Sequence, residues 1–133
     1  MKFKGVNKLF DLSGKVVVLT GSAGLLGSQY ADILSDAGAK LVLVDTNSKQ
    51  NNKLKQKLDN KYHTNPVSVD TDITSKKEVK ELASHLKKKF GHIDGLINNA
   101  FLNHAKQQSK NGKNSFEDFP LDIWNKSLEL NLT

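Results

Sequence analysis

A doubly wound α/β fold with a parallel sheet is the class this chain predicts, and three observations predict it. Short apolar runs of strand length alternate with longer runs of helical period, in the order β-α-β-α-β-α-β. The first two runs, Val16-Val17-Val18-Leu19 and Leu41-Val42-Leu43-Val44, are apolar without interruption, as strands buried on both faces are. Between them a Gly-rich segment, Thr20-Gly21-Ser22-Ala23-Gly24-Leu25-Leu26-Gly27, stands where strand gives way to helix.

Each element follows in order. Residues 1–9 are a polar, basic lead-in, and Phe10, Leu12 and Gly14 bring the chain into a first strand at about 15–20. The first helix runs to about Ala37. Its Leu25, Leu26, Tyr30, Ile33 and Leu34 fall largely on one side, and Gly38 supplies the stop. The second strand covers about 40–45. Residues 49–61 are Lys-rich, with Leu54 and Leu58 as the thin apolar stripe of a surface helix. Pro66 opens a short third strand through Val69. Thr74 or Ser75 caps the next helix, and Glu78 stands as capping-box partner to Ser75. In that helix Val79, Leu82, Ala83, Leu86 and Phe90 recur at helical spacing until Gly91 ends it. A fourth strand follows from Ile93 to about Asn98. Residues 101–118 form a long polar loop, and a last helix starts near Pro120 and carries Ile123, Trp124 and Leu128.

The 133 residues suffice for one domain with a real core and not for two, and no internal repeat divides them. The whole of 1–133 therefore reads as part of a single domain. Cysteine is absent, which excludes disulfides, thiolate chemistry and cysteine metal sites. The start, MKFKGVNKLF, has no apolar signal segment, and no run approaches membrane-spanning length. A cytoplasmic protein with no membrane partner is expected. Formal net charge is +6, yet every one of the 20 basic residues is Lys. Readers of nucleic acid rely on Arg for bidentate contacts, so the charge reads as solvated surface and no nucleic-acid partner is expected. The one cluster, Lys87-Lys88-Lys89, lies late in a helix, where it complements the dipole. His63, His85, His92 and His104 show no metal-ligand spacing, and no metal is expected.

The Gly-rich turn carries the chemistry. A strand that turns sharply into a helix leaves backbone N–H groups aimed outward, and the positive end of the helix dipole joins them in holding a diphosphate. Glycine is needed where a Cβ would block the turn or the approach of the phosphates. The plain alternative is a strand–helix turn with no ligand. Asp45 ends the second strand 18 residues beyond Gly27, close to the offset of a ribose-binding acid. A carboxylate there accepts hydrogen bonds from both ribose hydroxyls and repels a 2′-phosphate. Its alternative is a solvated strand-end acid.

With these residues in place, the chain resembles the short-chain dehydrogenase/reductase family. FDLSGKVVVLTG resembles the family's opening, and Asp72-Ile73-Thr74 its acidic motif after the third strand. Ile93-Asp94-Gly95-Leu96-Ile97-Asn98-Asn99-Ala100 is similar to the fourth-strand signature, the most specific match. Trp124 and Leu128-Glu129-Leu130-Asn131-Leu132-Thr133 resemble the helix that carries the family's catalytic-site Asn.

The resemblance implies a Rossmann-type sheet and an NAD-dependent oxidoreductase that moves a hydride between nicotinamide and a small-molecule alcohol or carbonyl. It implies that Gly21, Ser22, Gly24, Leu25, Leu26 and Gly27 hold the pyrophosphate, and that Asp45 binds the adenosine ribose and favours NAD over NADP. Asp72 and Ile73 then line the adenine pocket, while Asn98, Asn99 and Ala100 belong to the cofactor side of the fourth strand. Asn131 kinks its helix and holds a water in a proton relay. A homo-oligomer is implied for the full-length form.

Two departures qualify the match. The family's usual TGxxxGxG has Leu25 at its middle Gly, and Gly24 gives TGxxGxxG instead, a spacing similar to the branch that modifies nucleotide-linked sugars. Phe101 stands where the signature commonly continues with Gly. The family's chemistry also needs a Tyr, a Lys four residues later and an upstream Ser. Phenol is a poor base at its free pKa of ~10 and needs that neighbour. Here Tyr30 and Tyr62 are followed at that distance by Leu34 and Pro66. The chain is therefore expected to be the cofactor half of a longer enzyme, truncated after the fourth strand and the following helix and inactive alone. The alternatives are a catalytically inactive nucleotide-binding or regulatory module and a member of the nucleotide-sugar branch.

Overall fold

The structure, a computed structural model, describes residues 10–101 and 119–132. The basic lead-in and nearly all of the polar loop expected at 101–118 lie outside the described residues. The elements run β1 (Val16–Thr20), α1 (Leu25–Asp36), β2 (Lys40–Asp45), α2 (Ser48–Tyr62), β3 (Val67–Asp70), α3 (Lys76–Phe90), β4 (Gly95–Ile97) and α4 (Leu121–Leu132). The sheet and its three helices belong to a first unit, residues 1–99, and α4 belongs to a second, residues 100–133. No helix among the described residues is long and apolar enough to cross a membrane.

The four strands are parallel in the order β3-β2-β1-β4. Val18 pairs with Val42 on one side and Leu96 on the other. The chain moves outward from β1 to β2 and β3, then returns to the far side of β1. That reversal makes a topological switch point between β1 and β4, and the carboxyl ends of strands at such a point are where open α/β sheets bind ligands.

Strand alternation divides the core in two. Val17, Leu19, Leu41 and Leu43 face α1 and α2, where Ala31, Leu54 and Leu58 are buried against them. Val16, Val18, Val42 and Val44 face α3, where Leu86 is buried and Leu82 and Phe90 are half-buried. Both faces of β1 and β2 are covered, which is why their sequences are apolar without a break. Fully burying a side chain such as Leu58 contributes about 2 kcal/mol of transfer free energy.

Helix α1 corrects the sequence reading. Its buried residues are Gly27, Ala31 and Ser35. Of the stripe expected to face the core, Leu34 packs partly, whereas Leu25, Leu26, Tyr30 and Ile33 are exposed, Leu25 at 81% and Ile33 at 66%. The reason is distance. A Cβ on Gly27 would sit 2.1 Å from the carbonyl oxygen of Gly21. Only a row of small residues lets the helix approach that closely, so the large apolar side chains lie elsewhere. In α3 the same narrowing is milder: Leu82, Leu86 and Phe90 pack, while Val79 and Ala83 are exposed.

Strand β4 is shorter than the span expected from Ile93 to Asn98, because Asp94 is used differently. Its carboxylate accepts the backbone N–H of Val16 at 2.8 Å and the Lys15 ammonium at 3.0 Å, while its own N–H donates to the Val16 carbonyl at 2.8 Å. A side chain thus completes the edge of β1 where a strand would otherwise continue. The Val16 N–H, then Lys15, hold the Asp94 carboxyl below its ordinary value. Ser75 caps α3, accepting from the Glu78 N–H at 3.3 Å. The reciprocal half of the expected capping box is shifted. Glu78 accepts from the Asp72 N–H at 2.8 Å, since the Ser75 N–H already donates to the Asp72 carbonyl.

Candidate functional site

The Gly-rich turn begins where β1 ends. Gly21 has φ +63°, a region that glycine enters without a steric penalty. The Gly24 N–H donates to the Gly21 carbonyl at 3.1 Å and closes the turn. Gly24 is the N-cap of α1; it offers no side-chain cap, and no acid stands in the first turn. The first N–H groups of a helix have no partner within it, and here they form a positive end whose own first turn carries no acid. A Cβ on Gly24 would lie 3.2 Å from the Gly21 oxygen, a milder approach than at Gly27, while Leu25 opens the helix toward solvent.

Side chains from three directions fix the turn. The Asp45 carboxylate accepts the Ala23 N–H at 2.9 Å and the Asn47 N–H at 2.8 Å. Each carboxylate oxygen keeps a further lone pair, so Asp45 can still accept from a ligand hydroxyl. Asn47 in turn caps α2 by accepting from the Gln50 N–H at 3.1 Å. Asn99 braces the turn from the end of β4. Its amide donates to the carbonyls of Thr20 and Gly21, both at 3.1 Å, and its N–H donates to the Thr20 hydroxyl at 3.0 Å. Ser22 is fully buried and donates through its hydroxyl to the Asn51 side-chain oxygen at 2.8 Å, with the Val44 carbonyl at 3.2 Å. Asn51, also fully buried, donates to the Leu43 carbonyl at 2.9 Å.

The structure therefore brings Gly21, Ser22, Gly24, Asp45 and Asn99 into one hydrogen-bonded assembly at the carboxyl ends of β1, β2 and β4, with Gly27 packed against the Gly21 carbonyl. Leu25 and Leu26 open α1 beside it and are exposed. Asn98 is exposed at the end of β4. Asp72 is the acid of a turn: it accepts the N–H and hydroxyl of Thr74 at 2.9 and 2.7 Å, ahead of α3. Ile73 packs against the core on the α3 face. Ala100, half-buried, and Asn131, exposed on α4, belong to the second unit. In that unit the Trp124 N–H donates to the Pro120 carbonyl, and Phe119 meets Trp124 edge-on with centroids 6.3 Å apart.

Sequence reasoning missed Asn47, Asn51 and the Thr20 hydroxyl. For Asn51 a signal existed, since it shares the buried row of α2 with Leu54 and Leu58, a polar residue at an apolar position. A cleft of about 220 Å³ between α1 and α2, lined by Ala23, Ser28, Gln50, Lys53, Leu54 and Lys57, meets the assembly only through Ala23.

Known proteins share this fold. The family model described as short chain dehydrogenase matches residues 15–133. The chain is 33% identical over 135 aligned residues to the NAD-dependent glycerol dehydrogenase of Listeria innocua, a match covering 99% of this chain and 47% of that protein. It is 30% identical over 128 residues to the 5-keto-D-gluconate 5-reductase of Escherichia coli strain K12, covering 96% and 47%. Among solved structures it superimposes on NAD+-bound xylitol dehydrogenase with a TM-score of 0.78 at 26% identity, covering 91% of this chain and 44% of that one. The chain spans about half the length of the curated relatives it matches.

Proposed function

The chain belongs to the short-chain dehydrogenase family of oxidoreductases, and from that premise we propose that its Gly-rich turn binds a nicotinamide dinucleotide, NAD in preference to NADP. The observation that carries the reading is the hydrogen bond from the Ala23 N–H to Asp45. It joins the phosphate-binding turn and the ribose-binding acid into one structure. The N-terminal end of α1 takes the diphosphate, since no side chain caps it and its own first turn carries no acid. The free lone pairs of Asp45 take the ribose hydroxyls, and the same charge repels a 2′-phosphate. Asn99 holds the turn's carbonyls inward and away from the anion. Asp72 and Ile73 flank the adenine end, and Asn98 lies on the cofactor side of β4.

Held by the Gly-rich turn and Asp45, a bound dinucleotide would supply the redox chemistry, hydride exchange with an alcohol or carbonyl carbon. Asn131 keeps the role of water-holding residue in the proton relay that its matched position implies. For the whole protein we propose an alcohol or carbonyl substrate.

Titration of the protein with NADH and NADPH, read by nicotinamide fluorescence, tests the assignment. Asp45→Ala should weaken NADH by about tenfold or more, with a smaller loss for NADPH. Equal NADH affinity in wild type and variant would remove Asp45 from the site.

A further inference from the structure

Asn51 is an unusual choice for its position. It lies in the first turns of a helix, on the row that Leu54 and Leu58 bury, and is itself fully buried. Asn is a modest helix former, and burying an amide is costly unless each of its polar atoms finds a partner. A third Leu there would extend the apolar row with no such cost. The partners are what distinguish Asn51. Its Nδ2 donates to the Leu43 carbonyl of β2 at 2.9 Å and approaches the Val69 carbonyl of β3 at 3.5 Å. Its Oδ1 accepts the Ser22 hydroxyl at 2.8 Å. The amide therefore links two strand ends to the Gly-rich turn.

Glycine at either end makes this segment easy to move. Between Gly21 and Gly24 only Ser22 carries a polar side chain, and its hydroxyl adds a buried side-chain link to the bond from its own N–H to the Val44 carbonyl at 3.3 Å and to the Asp45 and Asn99 contacts. A hydroxyl has one proton, and the shorter contact directs it to Asn51 ahead of the Val44 carbonyl. The Asp45 bond to Ala23 is of a different kind, because Asp45 is also the group proposed to meet the ribose. The bond between Ser22 and Asn51 is buried and stays out of a ligand's reach, so it can hold the turn in one place whether or not the site is filled.

We propose that the buried pair Ser22 and Asn51 is a positioning device for the Gly-rich turn, setting the direction of its N–H groups and hence the affinity for the diphosphate of a nicotinamide dinucleotide. Neither side chain touches the ligand. The affinity part rests on the dinucleotide reading above; the positioning of the turn does not.

The test compares wild type, Ser22→Ala, Asn51→Leu and the double variant by NADH titration, urea denaturation and amide hydrogen exchange. Ser22→Ala leaves the Asn51 Oδ1 unpaired, and Asn51→Leu takes a donor from the Leu43 carbonyl while the Ser22 hydroxyl turns to Val44, so each should lower the urea midpoint. The double variant removes the hydroxyl and its acceptor together and should cost no more than Asn51→Leu alone. All three variants should bind NADH about tenfold more weakly. Exchange at the amides of residues 22–24 should accelerate in the variants ahead of the amides of β1 and β2. NADH affinity unchanged in the variants, or exchange that accelerates equally across β1 and β2, would overturn the proposal. If Asn51→Leu does not fold, Ser22→Ala, which removes one oxygen atom, decides by the same readouts. Wild type that fails to bind NADH would count against the dinucleotide reading alone. In that event, faster exchange confined to 22–24 supports positioning, and uniform exchange overturns it.

Discussion

Helices α1 and α2 pack on the same face of the sheet, yet they meet it in opposite ways. α1 turns its small residues inward, Gly27, Ala31 and Ser35, and leaves Leu25, Leu26 and Ile33 exposed. α2 turns Asn51, Leu54 and Leu58 inward and exposes lysines. In α2 burial follows hydrophobicity at Leu54 and Leu58, as apolar transfer demands, with Asn51 the exception. In α1 it follows size, because the N-terminus of that helix has to stand against the end of β1 for the turn to form. A helix whose N-terminus builds a site is positioned by the closest atom it must accommodate, and its apolar residues lie on whatever surface remains.

The comparison can be broken most sharply at Gly27. Gly27→Ala would push a Cβ to 2.1 Å from a backbone carbonyl, where no flexible side chain can yield. A loss of about 4 kcal/mol or outright misfolding is expected, at the upper end of overpacking effects. A urea midpoint equal to wild type would show that closeness does not govern α1. Leu58→Ala probes the other helix and should cost about 3 kcal/mol through lost transfer energy and a cavity. A cost under about 1 kcal/mol would mean that α2 is not held by its apolar row. The smallest effect belongs to the exposed side of α1. Ile33→Gln should change stability by no more than about 0.5 kcal/mol, although the residue is the more hydrophobic of the two types. A large loss there would restore the amphipathic reading of α1 that the structure corrects.

These two helices also show what was legible in the chain. β1 and β2 were, because burial on both faces writes itself as an unbroken apolar run. The turn and Asp45 were, because glycine spacing and strand-end position are local. The buried face of α1 was not, since the 2.1 Å approach of Gly27 to Gly21 is a property of the folded turn and not of hydrophobic period. Asn51 escaped for a related reason: its partners lie on residues 22, 43 and 69, far apart along the chain. β4 was overextended because Asp94 completes the edge of β1 with a side chain, a pairing with no periodic signature.

The hydrogen bond between Asp45 and Ala23 has a consequence for redesign. Under the proposed assignment of Asp45 to the ribose, an engineer who wishes to admit a phosphorylated ribose would first remove the carboxylate that would repel it. That same step releases the Ala23 N–H and takes an acceptor from the Gly-rich turn. On that proposal selectivity and grip are tied together at one side chain, so exchanging one preference for the other would take at least two substitutions: one to change the charge, and one to give the turn back its acceptor.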